Sequence, residues 1–211
     1  MQRYDIINEL IGKFNYKTYL EIGVRNPDDC FNIINCETKH SVDPGYESPD
    51  SKVDYKFTSD DFFALLESKE LNLSPTYKWD VIFIDGLHIS TQVEKDIKNS
   101  LNHLSENGII ILHDCNPISE MRQRVPADFD IWEFGWNGDV WKNIVECRTR
   151  NDIDTYVVHA DHGVGMILKR PNKKLLILKM SNFKKLKFRD FYYNYKQYLN
   201  VVYKEDLKNI F

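Results

Sequence analysis

The sequence predicts an α/β protein built on a doubly wound, mostly parallel sheet of seven strands that ends in an antiparallel hairpin. Three observations carry this. Residues 79–85 (WDVIFID) and 109–112 (IIIL) are apolar on both faces, as strands buried in a parallel sheet are. Strand-like runs alternate with helix-like periodicity from the start of the chain to the middle, which is the βαβ pattern with its right-handed crossovers. Near the end, runs 155–159 and 163–168 are joined by three residues only. So short a link cannot make a parallel crossover, so these two strands must pair antiparallel.

The elements follow in order. Ile7, Leu10, Ile11 and Phe14 have helical spacing and predict a first helix. Residues 18–22 form a compact apolar strand ended by Gly23. Asn26 can cap, and Pro27 suits the first helical position, so a helix carrying Phe31, Ile33 and Ile34 is expected next. A second strand, 40–43, stops at Pro44-Gly45, and a third covers 53–57. Ser59-Asp60-Asp61 then caps a helix through Leu66. After the strand at 79–85, Val93, Ile97, Leu101 and Leu104 make one helical stripe closed by Asn107-Gly108. The last core helix starts in residues 138–142.

Length and composition bound the function. A chain of 211 residues with 42% hydrophobic and 28% charged content is globular and long enough for one sizeable core. The net charge of −4 excludes a globally basic nucleic-acid binder. The charge is uneven. Residues 172–211 hold ten basic and three acidic residues, a balance of +7, while residues 1–171 hold 18 and 29, a balance of −11. Two regions are therefore expected: a domain over 1–171, and a basic, aromatic helical extension over 172–211. In the extension Phe188, Phe191, Tyr192, Tyr195, Leu199 and Val202 share one helical face, to pack on the same domain or on a homodimer partner. The four cysteines form no CxxC pair and read as reduced thiols, which places the protein in the cytoplasm. No apolar run approaches the ~20 residues of a membrane span, and the first residues lead into an amphipathic segment rather than a signal peptide. Neither nucleic acid nor membrane is expected as a partner.

A ligand of an open α/β sheet sits at the carboxyl ends of the strands. Four such ends carry suggestive residues: Glu21 with Gly23, Asp43, Asp60 and Asp85. Gly23 lets a ligand approach the backbone of Val24 and Arg25. Asp43, twenty residues beyond Gly23, is placed to accept both hydroxyls of a ribose. Asp60, beside Ser59, can accept from an exocyclic adenine amine, and Glu21 can face an ammonium group. Taken singly, each acid is equally well a helix cap or strand end. The loop Gly23-Val24-Arg25-Asn26-Pro27 holds neither GxGxG nor GxGxxG, and Pro27 removes one N–H. A pyrophosphate needs those groups, so NAD and FAD are disfavoured.

Residues 19–26 (YLEIGVRN), 42–44 (VDP), 80–88 (DVIFIDGLH) and 108–114 (GIIILHD) resemble class I S-adenosylmethionine-dependent methyltransferases. The match is nearest to the methyltransferase-24 group of small-molecule and sugar O-methyltransferases, over about residues 16–169. The resemblance implies the Rossmann-like methyltransferase fold and S-adenosylmethionine as cofactor, held by Glu21, Gly23, Val24, Arg25, Asp43, Ser59, Asp60, Asp85 and Gly86. It implies O-methylation of a small molecule or a sugar or glycan precursor. Asp85-x-x-His88 is similar to the Asp-x-x-Lys of catechol O-methyltransferase-like enzymes, with His88 as the general base and Asp85 and His113 beside it. A histidine is well matched to that task at neutral pH. Asp85 and Asp114, with His113 or Asn116, would form a Mg2+ site, although His113 and Cys115 flanking Asp114 are not natural magnesium ligands. The loop 116–139, with Arg122, Arg124, Trp132, Phe134 and Trp136, would carry the acceptor site. The alternative is a catalytically silent module of the same fold, used for binding or assembly.

Overall fold

The computed structural model describes residues 1–211, in the order helix α1 (Arg3–Phe14), strands β1 (Thr18–Ile22) and β2 (Thr38–Val42), α2 (Ser59–Glu67), β3 (Trp79–Ile84), α3 (Ser90–His103), β4 (Leu104–Leu112), α4 (Ile131–Phe134), α5 (Trp141–Arg148), β5 (Asp154–Val158), β6 (Val164–Leu168), α6 (Phe188–Leu199) and β7 (Val201–Val202). The strands are ordered β2-β1-β3-β4-β6-β5-β7. β1 pairs parallel with β2 and with β3, and β5 pairs antiparallel with β6, as expected. No helix is long and apolar enough to cross a membrane.

The chain forms two compact units. The first comprises residues 1–87 and 95–111. Its core gathers around Trp79, which is fully buried and ringed by His40, Tyr77, Phe62 and His103. The indole N–H donates to His40 Nδ1 at 3.0 Å, so the one polar atom of a large apolar side chain is satisfied. Asp80, next in β3, ties the starts of β1 and β4 to its own strand. Its carboxylate accepts from the backbone N–H groups of Lys17 and Thr18 and from the Ser105 hydroxyl. These bonds hold its pKa below the usual value despite burial.

The second unit comprises residues 88–94 and 112–211. Here α6 lies on α5, with the rings of Phe191 and Trp141 4.7 Å apart, and the chain then adds β7 parallel to β5. Phe191, Tyr198 and Leu199 are buried, while Tyr192 faces solvent. Asp139 caps α3 from a distant loop: its carboxylate accepts from the Ser90 backbone N–H at 2.6 Å and from the Ser90 hydroxyl at 2.9 Å.

Several elements differ from the sequence expectation. Residues 27–34 form two single 3-10 turns, Pro27–Asp29 and Phe31–Ile33, instead of a helix. Asn26 does cap and Pro27 does sit at the first position, but Cys30 leaves helical geometry at φ −150°, ψ −59° and stops propagation. The strand expected at 53–57 is one bridge, Val42 to Tyr55. The seventh strand is instead Val201–Val202, which the sequence places on a helical face. The cap of α2 is Thr58, whose hydroxyl accepts from Asp61 N, rather than Ser59. Leu104 and Asn107-Gly108 belong to β4 and do not end α3. A side chain on Gly108 would meet the Asp80 carbonyl at 2.7 Å, so this glycine serves a close strand approach.

Candidate active site

At the carboxyl end of β1, Gly23 has φ +86°, and a Cβ there would collide with the backbone of Gly86. The glycine that sequence reasoning reserves for a ligand therefore first lets the loops after β1 and β3 touch. Backbone bonds fix the same crossing: Gly23 N donates to Val42 O at 2.9 Å and Asp85 N to Ile22 O at 2.8 Å. Asp43 is buried and organises the loop. Its two oxygens accept from Arg25 N at 2.8 Å and Gly45 N at 2.6 Å. An ionised carboxylate has about four lone-pair positions, so acceptor capacity for a ribose remains. Val24 is buried beside it and Arg25, at φ +49°, turns its guanidinium out to Asp29.

Glu21 is 2% exposed, and the Tyr19 hydroxyl, two residues back on the same face of β1, donates to its Oε2 at 2.5 Å. Burial is the main reason its pKa rises to about 8, and the nearby charge of Asp85 pushes the same way. Two acids thus meet at one end of β1 and β3, and both favour a cation. Arg3, the first residue of α1, reaches this end and lies 3.5 Å from Asp85 Oδ2. Asp60 is half exposed in the first turn of α2 and pairs with Lys95 at 2.6 Å.

In the second unit the loop 136–139 grips His88. Gly138 has φ +59°, and a Cβ on it would run into the His88 carbonyl. Asp139 N donates to that carbonyl at 3.1 Å. The His88 ring lies against Trp136 with centroids 5.5 Å apart, and its Nδ1 is 3.0 Å from the Trp136 carbonyl oxygen. A carbonyl can only accept, so Nδ1 carries a proton, and Nε2 is the ring nitrogen through which a second proton can come and go. That Nε2 is 3.4 Å from Asp114 Oδ2. Asp114, at φ +58°, also receives Asn137 Nδ2 at 2.7 Å and lies 2.9 Å from His113 Nδ1. On its far side His113 Nε2 is 3.5 Å from Asp161 Oδ1, which the β5–β6 turn supplies. Trp132 and Phe134, which the structure places on the short helix α4 rather than in a loop, are exposed.

Each unit therefore gathers part of the expected site: Glu21, Gly23, Asp43, Asp85 and Gly86 in one, His88, His113 and Asp114 in the other. Arg3, Tyr19, Asn137 and Asp161 were missed. Tyr19 had a signal, its place two residues before Glu21 on a strand; Asn137 and Asp161 lie in loops and had none. For magnesium the donors fit poorly. Asp85 is paired with a guanidinium, and both Asp114 oxygens are engaged by Asn137 and His113.

The strand order, the terminal hairpin and the acid-lined loops after β1 and β2 define a class I, Rossmann-like methyltransferase fold. Residues 22–115, a little under half of the chain, match a family model described as a methyltransferase domain, of the methyltransferase-24 type. Solved structures share the fold at low identity. MycE methyltransferase from the mycinamycin biosynthetic pathway is 14% identical with a TM-score of 0.50, over 83% of this chain and 51% of its own. The chain thus spans about half the length of that enzyme. An O-methyltransferase from Bacillus cereus is 12% identical with a TM-score of 0.53 over 80% of each chain. The O-methyltransferase TomG from Streptomyces achromogenes is 10% identical with a TM-score of 0.52, over 80% of this chain and 79% of its own. No curated protein matches the sequence.

Proposed function

We propose that the chain is an S-adenosylmethionine-dependent O-methyltransferase acting on a hydroxyl of a small molecule or a sugar or glycan precursor, with His88 as general base. The observation that carries this reading is the His88 ring, its tautomer set by the Trp136 carbonyl and its Nε2 beside a carboxylate. The solved neighbours support the cofactor: the Bacillus cereus enzyme is described in complex with S-adenosylhomocysteine, TomG with S-adenosylmethionine, and MycE with Mg, S-adenosylhomocysteine and mycinamycin VI.

When bound, the cofactor supplies an electrophilic methyl group on a sulfonium. The residues of the first unit suit its parts. Buried Glu21 and partly buried Asp85 favour the cationic end, Asp43 retains acceptors for ribose hydroxyls, and Ser59 and Asp60 would face the adenine. In the second unit, His88 Nε2 takes the proton of the acceptor hydroxyl, and Asp114 stabilises the imidazolium so formed. Asn137 and His113 hold Asp114 in place for that task. No step is assigned to a metal. The exposed Trp132 and Phe134 offer flat apolar faces of the kind that suit a sugar ring. The discriminating variant is His88→Ala. Turnover should fall by about 10²–10⁴ while S-adenosylhomocysteine binds as before; unimpaired turnover would remove His88 from the role. Cofactor binding without any turnover in the unmodified protein would favour the silent module.

A further inference from the structure

We infer that Arg3, the first residue of α1, is a cofactor-binding residue whose guanidinium receives the α-carboxylate of the methionine part of S-adenosylmethionine; this rests on the cofactor reading above. The placement is specific. Arg3 comes from a helix that the site otherwise does not use, yet its guanidinium lies 3.5 Å from Asp85 at the carboxyl end of β3. Its side chain is only 18% exposed. A guanidinium is costly to withdraw from water, and a purely solubilising arginine would sit outside.

The local charges explain what it is for. Asp85 at the end of β3 suits a cation. Glu21 at the end of β1, which burial keeps protonated up to about pH 8, does so once a bound cation favours its ionised form. The amino-acid end of the cofactor is a zwitterion, with an ammonium and a carboxylate two bonds apart through one carbon. An acidic pair alone would attract the ammonium and repel the carboxylate. One arginine beside the pair makes the site match both charges. At 3.5 Å the contact with Asp85 is longer than the 2.7–2.9 Å of a tight charge-assisted bond. A planar fork of five N–H donors can serve Asp85 and a ligand carboxylate together. Arg3 is also poised by structure: Ile6, Ile7, Leu10 and Ile11 anchor α1 in the core, so its first residue is held, not loose.

The experiment compares two ligands that differ only in the amino-acid part. S-adenosylhomocysteine carries the carboxylate; 5′-methylthioadenosine keeps the adenosine and sulfur and lacks it. Both are titrated calorimetrically into the unmodified protein, Arg3→Gln and Arg3→Lys. Arg3→Gln should weaken S-adenosylhomocysteine binding by about 10–100-fold, the loss of one charged hydrogen-bonded contact, and leave methylthioadenosine within about twofold. Arg3→Lys should recover part of the loss, since it restores the charge without the fork. Equal weakening of both ligands, or of neither, overturns the assignment. If the unmodified protein binds neither ligand, the cofactor reading falls first and the role of Arg3 with it. Binding of S-adenosylhomocysteine that is unchanged in Arg3→Gln refutes the arginine alone.

Discussion

Replacing Glu21 by glutamine should make the protein more stable, and increasingly so as pH rises. The carboxyl gives up its proton near 4.5 in the unfolded chain and near 8 in the folded one, chiefly because burial penalises the charge. Below pH 4.5 both states hold the proton and nothing is lost. Between the two values the unfolded chain ionises while the folded chain does not, so stability declines with rising pH. It levels off above pH 8. The decline amounts to about 3 kcal/mol by pH 7 and about 5 kcal/mol above pH 8. Glutamine keeps an acceptor for the Tyr19 hydroxyl and does not titrate. Urea unfolding of both proteins at pH 5 and pH 8 should therefore show the advantage of Glu21→Gln growing by about 3 kcal/mol. An advantage that stays constant with pH would refute a buried, proton-holding Glu21. The same carboxyl makes cofactor binding pH-dependent. A cation at the end of β1 favours the ionised form, so affinity should climb up to about pH 8 and the climb should vanish in the variant.

Two further substitutions test the scaffold around the site. Gly23→Ala should destabilise the fold by about 2–4 kcal/mol, from positive φ plus the collision with Gly86. Gly86→Ala, whose Cβ would have no neighbour closer than 3.8 Å, should cost under about 1 kcal/mol; thermal melts giving equal losses would contradict the close crossing. Asp139→Ala removes the remote cap of Ser90 and the carboxylate partner of Lys142, whose amine still donates to the Lys184 carbonyl. It should cost about 2–4 kcal/mol in denaturant unfolding; a loss below about 0.5 kcal/mol would show the cap to be dispensable.

Much of this fold was legible in the sequence because its signals are short-range. The doubly apolar run at β3 and the three-residue link between β5 and β6 each admit one reading. Where the outcome depends on distant partners, the sequence misleads. Val53–Phe57 has strand composition, but only Tyr55 forms a backbone bridge to β2. Val201–Val202 is too short to show a period, and becomes a strand because β5 offers a free edge. The site divides in the same way. Glu21, Asp43 and Asp85 follow from strand ends, since the ends of parallel strands converge by construction. Gly23 is also constrained by another backbone, that of Gly86, and no local pattern encodes that. Nor does any spacing announce that Trp136 and Asn137 will orient His88 and Asp114 from a loop. Long-range contacts made by irregular segments carry no periodicity to read.

The central claim is that the loops after β1 and β2 hold an adenosylmethionine-type cofactor and not a dinucleotide. Parallel calorimetric titrations with S-adenosylhomocysteine and with NAD test it most directly. The expected result is saturable one-to-one binding of S-adenosylhomocysteine and none of NAD. Saturable binding of NAD with none of S-adenosylhomocysteine would contradict it.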